Sequence, residues 1–188
     1  MEELENLARL LITRNQIDAL ISSMINRPAI NGHIGEYIAG KIFDIKLNDN
    51  ARDKGTDGVF NTGSLATKSV NIKLYGKQEG LLDVNLNALP DYYLVMTGPK
   101  SPAISSRGKH RPCVIDHVYL FKSDDLKEKF GIKKFGVATS IKNAFWEKAE
   151  IYPKAQNQYL SLSEDKKDLL KMFGEKKVSE LLSKEQVG

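Results

Sequence analysis

Apolar positions near the start of the chain recur at three- and four-residue intervals. Residues 4–12 (LENLARLLI) and 14–26 (RNQIDALISSMIN) both carry this spacing, which predicts two short helices with Thr13 and Gln16 as a capping box between them. Arg27-Pro28 ends the second. A third helix is expected from Ala29 to Phe43, with Pro28 at or just before its first turn, where a missing N–H is tolerated. From Asp44 the period shortens to that of strands: IKL, a polar turn (NDNARDKGTDG), Val59-Phe60, a Thr-Gly-Ser turn, then Lys68 to Tyr75. Residues 80–89 fit a helix. Tyr92 to Thr97 (YYLVMT) reads as a buried central strand, and Cys113 to Phe121 as another. Ser123 starts a short helix with Asp124 and Asp125 in its first turn. The order to this point is α-β-β-β-α-β-β-α, which is that of an α/β fold. Residues 136–150 fit strand and helix alike. Ser163 caps a helix over 164–173, and Gly174 separates it from a last helix over 176–184.

With 188 residues, the expectation is one domain with terminal elaborations. No apolar run approaches the roughly 20 residues that span a bilayer. The acidic start, MEELENLARLL, lacks the form of an export signal, so a cytoplasmic protein is expected. Cys113 is the sole cysteine and cannot form an internal disulfide, and no Cys/His cluster has zinc spacing. Net charge is +4, which agrees with a polyanionic partner. Its distribution says more: residues 100–111 (KSPAISSRGKHR) hold Lys100, Arg107, Lys109, Arg111 and His110 with no acid. Arginine is the commonest reader of guanine and lysine grips phosphate, so Arg107, Lys109, His110 and Arg111 are the expected nucleic-acid contacts. The alternative is a solvated connector.

The chemistry concentrates at Gly55-Thr56-Asp57-Gly58-Val59-Phe60 and, fourteen residues after Asp57, Asn71-Ile72-Lys73. Val70, Ile72 and Leu74 alternate with Ser69, Asn71, Lys73 and Tyr75, so Asn71 and Lys73 share a strand face. A hairpin would bring Asp57 to the same place. A carboxylate beside an ammonium at a sheet end can hold Mg²⁺ while the lysine orients the attacking water and offsets charge developing on a phosphate. The third helix adds Glu36, flanked by the small residues Ala29, Gly32, Ala39 and Gly40, which allow close packing on a sheet. A lone glutamate there needs a partner such as a metal or its bound water.

These residues in this order resemble the PD-(D/E)XK, restriction-endonuclease-like superfamily. Its core is a helix bearing a Glu, a hairpin bearing an Asp and a strand bearing acid-x-Lys. The resemblance covers Ala29 to Phe121, leaving residues 1–28 as a helical arm and 122–188 as a C-terminal elaboration. It implies a mixed central sheet flanked by helices. The catalytic set would be Glu36, Asp57, Asn71 and Lys73, and the metal, Mg²⁺ or Mn²⁺, would be held by Asp57, Glu36 and Ile72. One position departs from the pattern: Asn71 stands where the family has Asp or Glu. This resembles the amide-x-Lys form of modification-dependent restriction nucleases, in which the helix glutamate helps to hold the metal. Glu79 or Asp83, just past the strand, are candidate replacements for the missing acid.

The resemblance therefore implies a Mg²⁺-dependent DNA endonuclease, a type II restriction enzyme acting as a homodimer because one such site cuts one strand. The alternatives are a modification-dependent or repair nuclease of the same fold and a catalytically silent DNA-binding module. No Gly-x-Ser-x-Gly nucleophile and no glycine-rich phosphate loop is present, so ATP is not expected. His33 reads as a structural helix-start residue, His117 as core or sheet surface, Cys113 as a buried small apolar residue, and Trp146 with Phe145 as packing.

Overall fold

The computed structural model describes residues 2–48, 55–85, 87–100, 112–130 and 138–177. The predicted contacts Arg107, Lys109, His110 and Arg111, and most of the predicted last helix, lie outside these residues. The elements are α1 (Glu2–Ile25), α2 (Asn31–Phe43), β1 (Ile45–Leu47), β2 (Gly58–Phe60), a 3-10 turn (Gly63–Leu65), β3 (Ser69–Tyr75), β4 (Leu81–Leu82), β5 (Tyr92–Thr97), β6 (His117–Lys122), α3 (Ser123–Phe130), β7 (Thr139–Ser140), α4 (Asn143–Ala149), β8 (Glu150–Tyr152) and α5 (Glu164–Lys171). The fold is mixed α/β.

Six strands form one mixed sheet in the order β1-β2-β3-β5-β6-β8, with β3 and β5 parallel and the other neighbours antiparallel. Every residue of β5 is buried, as its unbroken apolar run requires of a central strand covered on both faces. On one face Val70, Ile72, Leu94, Met96, Val118 and Leu120 pack beneath Ile38, Ala39, Ile42 and Phe43 of α2. On the other, Tyr93, Val95, Tyr119 and Phe121 meet Trp146, Leu126 and Ile141. Gly35 brings α2 close to β3: a Cβ there would lie 2.8 Å from Leu74 Cβ.

Several expectations change. The two N-terminal helices are one, because nothing between them breaks a helix. Thr13 Oγ1 donates to the Arg9 carbonyl, 3.2 Å away, and so sits inside the helix where a cap was expected. Helix α2 starts at Asn31, two residues later than predicted. No helix forms over residues 80–89; Leu81-Leu82 instead pairs with β7 in a small two-stranded sheet. The expected strand from Cys113 begins at His117, and Cys113 is exposed, whereas a buried side chain was expected. The ambiguous stretch ending at 150 contains strand, helix and the start of another strand, β8. Trp146 is buried in the aromatic cluster with Tyr119 and Phe121. Among the described residues no helix is long and apolar enough to cross a membrane.

Candidate active site

The site lies where β2 and β3 part. Their ladder pairs Gly58 with Val70 and Val59 with Ser69, and just beyond it the Asp57 N–H donates to the Val70 carbonyl at 2.8 Å. From Asn71 onward β3 has β5 on one side and, among the described residues, no strand on the other. Backbone groups alternate between the two sides of a strand, so the N–H and carbonyl of Ile72 point to the same edge as those of Val70. Asp57 takes the first of these: its Oδ2 accepts the Ile72 N–H at 2.6 Å. The Ile72 carbonyl is left facing the open edge beside that carboxylate.

Glu36 approaches from α2, and its charge acts on Asp57 together with those of Lys73 and Arg27. Burial is the leading influence and raises the Asp57 pKa. The Ile72 hydrogen bond opposes this, the Glu36 carboxylate adds to it, and Lys73 and Arg27 partly offset it. The four residues thus form one electrostatic cluster of two carboxylates and two cations.

Arg27 was read from the sequence only as part of a helix-breaking pair. In the structure its guanidinium pairs with the Glu36 carboxylate. Its position beside Pro28, at the α1–α2 junction, carries no sequence signal for this role. His33 Nδ1 lies 3.0 Å from the Pro28 carbonyl, a contact that holds the same junction.

Asn71 and Lys73 face the opposite side of β3 from α2 and line a cavity of about 130 Å³ with Gly55, Asp83, Val84, Asn85 and Tyr93. Asn71 Nδ2 donates to the Gly55 carbonyl at 3.2 Å. Its Oδ1 is buried and has no hydrogen-bond partner among the described residues. A buried acceptor left unmatched is unfavourable unless a water or cation supplies the missing contact.

The two candidate replacement acids differ. Asp83 shares the cavity, but its Oδ2 accepts from Tyr75 Oη at 3.2 Å and its Oδ1 from the Ala138 N–H at 2.6 Å, so both oxygens hold the neighbouring chain. Glu79 is not among the residues lining that cavity and instead lines two others, one of them shared with Tyr75 and Asp83.

No group of three or more His, Cys, Asp or Glu side chains suited to a metal occurs among the described residues. The donors present fit a hard cation that keeps several waters: two carboxylates, Asp57 and Glu36, and the edge carbonyl of Ile72. Asn71 Oδ1, on the other side of the strand, suits a water beside Lys73.

The raised Asp57 pKa has a consequence for stability. An acid whose folded-state pKa exceeds its unfolded value contributes stability fully below the unfolded value and loses it as pH rises through the folded one. At neutral pH without divalent metal the ionised Asp57 is therefore a burden on the fold. Asp57→Asn keeps an oxygen for the Ile72 N–H and should raise the melting temperature at pH 7 in the presence of a chelator. The difference should shrink when Mg²⁺ is added to both proteins; a lower melting temperature for the variant under chelation would contradict this reading.

No protein-family model matches the sequence, and no curated protein matches it.

Proposed function

We propose that the chain is a metal-dependent DNA endonuclease of the PD-(D/E)XK type, with its core on α2, β2, β3, β5 and β6. The observation that carries this reading is the Asp57 carboxylate held on the Ile72 N–H at the edge of β3, with the charges of Glu36 and of Lys73, one residue further along, acting on it. A bound Mg²⁺ would supply Lewis-acid stabilisation of the phosphodiester and a water of lowered pKa.

The protein's own groups do the rest. Asp57, Glu36 and the Ile72 carbonyl would hold the cation. Lys73 has no hydrogen-bond or ion-pair partner among the described residues, so its ammonium is available to orient the attacking water and to offset negative charge building on the phosphate. Asn71 Oδ1 accepts a hydrogen bond from that water, the contact its burial otherwise leaves unmet. Arg27 neutralises Glu36, which a bound cation would also do.

Substrate binding draws on the basic stretch of residues 100–111 and on the chain's net charge of +4. One site cuts one strand, so duplex cleavage requires two copies or two successive cuts. The decisive test is incubation of the pure protein with supercoiled plasmids of several sequences and methylation states, with Mg²⁺ or with chelator. Discrete Mg²⁺-dependent fragments would support a restriction enzyme, and dependence on methylation would support the modification-dependent alternative. Binding without cleavage under any divalent metal would leave a silent DNA-binding module and refute the enzymatic reading.

A further inference from the structure

Helix α1 is 24 residues long and has no buried residue. Eight of the twelve exposed large apolar side chains among the described residues belong to it: Leu4, Leu7, Leu10, Leu11, Ile12, Ile17, Leu20 and Met24. Its C-terminal half leans on the protein through Asp18, Ile21, Ser22 and Ile25, which are half-buried, whereas every residue from Glu2 to Ile17 is exposed. A helical segment of that length is marginal in water by itself, since helices in proteins draw most of their stability from packing an apolar face.

The exposed half has such a face. At about 100° per residue, Leu4, Leu7, Leu10 and Leu11 fall within about 120° of arc. Glu3 and Arg14 fall in the same arc, one at each end of the leucine stripe. Leu7 and Leu10 lie at its centre, midway between the two charges in sequence: 3 and 14 are each four residues out from 7 and 10.

We propose that this stripe is the contact between two copies of the chain, paired antiparallel across a two-fold axis that passes between Leu7 and Leu10. In this register Leu7 of one copy meets Leu10 of the other, and Glu3 of each lies opposite Arg14 of its partner. Leu4 and Leu11 of both copies close one flank. The arrangement is isologous, as a closed dimer requires. The charge pattern selects the direction: parallel pairing would set Glu3 against its own copy, whereas antiparallel pairing sets it opposite Arg14. Arg14 is exposed enough to serve: its side chain is 73% exposed, and it pairs with Asp18, at 3.4 Å, at the helix surface. The paired stretch is short, below the size of a standard interface of roughly 800 Å² per partner, so a weak dimer is expected, one that dissociates at micromolar concentrations. The proposal does not depend on the nuclease reading.

The test is sedimentation equilibrium of the full chain across about 1 to 100 µM, the range in which a dimer of that strength dissociates. Wild type should pass from monomer to dimer. Leu7→Ser with Leu10→Ser should raise the dissociation constant at least tenfold while circular dichroism shows the rest of the fold intact. Glu3→Arg and Arg14→Glu should each weaken the dimer, and the double variant E3R/R14E should restore it, although Arg14→Glu also places a like charge beside Asp18. That restoration separates a cross-chain pair from the local one. A monomer throughout the range overturns the proposal, as does a dimer indifferent to the leucine pair or a double variant weaker than both singles. Binding of the stripe to lipid vesicles by a protein that stays monomeric in solution would also overturn it.

Discussion

Asp57→Asn and Lys73→Ala should each lower Mg²⁺-dependent plasmid cleavage by about 10² to 10³-fold or more, the usual loss when a group acting on transition-state charge is removed. The two fail for different reasons. Asp57→Asn retains shape and an acceptor for the Ile72 N–H, so β3 keeps its edge contact, but a neutral amide replaces the carboxylate that anchors the cation. The variant should therefore need far more Mg²⁺ and should fold at least as well as wild type. Lys73→Ala leaves both carboxylates in place and should bind the cation normally while losing turnover. Plasmid binding in chelator, measured by mobility shift, should be little changed in either variant. Calorimetric titration with Mg²⁺ distinguishes the two defects: affinity falls in the first and is preserved in the second. Near wild-type cutting by either would remove the site assignment.

What the sequence revealed of this arrangement depended on how local each signal was. The alternation in β3 put Asn71 and Lys73 on one face, as the cavity they share requires. That pattern is a property of seven consecutive residues. The closeness of α2 to β3 was also legible as a run of small residues, although the glycine in contact, Gly35, was not among those singled out.

Features that depend on distant chain segments were not legible. Arg27 meets Glu36 only because the α1–α2 junction folds back on α2, and no spacing rule encodes that. Strand β8 was missed because it opens with Glu150, a residue that reads as helix surface. In the structure Glu150 is buried, with Oε1 2.9 Å from His117 Nδ1 and Lys100 Nζ 4.0 Å from Oε2. Burial of a carboxylate is tolerable only with partners of this kind, and they come from residues 33 and 50 positions away. The same reasoning explains Thr13. Its side chain can bond within a helix as readily as cap one, so the local signal was ambiguous and the unbroken apolar pattern on both sides decided the outcome.

Asn71 makes the sharpest test of how the charge in this site is divided. Its amide lies beside the cavity of Lys73: Nδ2 donates to the Gly55 carbonyl, and the buried Oδ1 has no partner among the described residues. Asn71→Asp removes the donor and sets a carboxylate oxygen against the Gly55 carbonyl, while adding an anion to the strand that carries Lys73. In a working amide-type enzyme, where Glu36 already supplies the needed charge, activity should stay within about tenfold of wild type or fall. Glu36→Gln in that enzyme should be severe, on the order of 10²-fold, because Asp57 becomes the one carboxylate on the cation and Arg27 loses its counter-charge beside it. The combination then discriminates between the readings. If net charge near the cation is what Glu36 contributes, adding Asn71→Asp to Glu36→Gln should recover part of the lost activity through the field of the new carboxylate across β3, a departure from additivity expected of charges that act on one centre. If the wild-type protein instead binds DNA without cutting it, Asn71→Asp is the substitution that should switch cleavage on. An active enzyme whose rate and Mg²⁺ requirement are both unmoved by Glu36→Gln would show that α2 has no part in the chemistry and would confine the site to Asp57, Lys73 and the edge of β3.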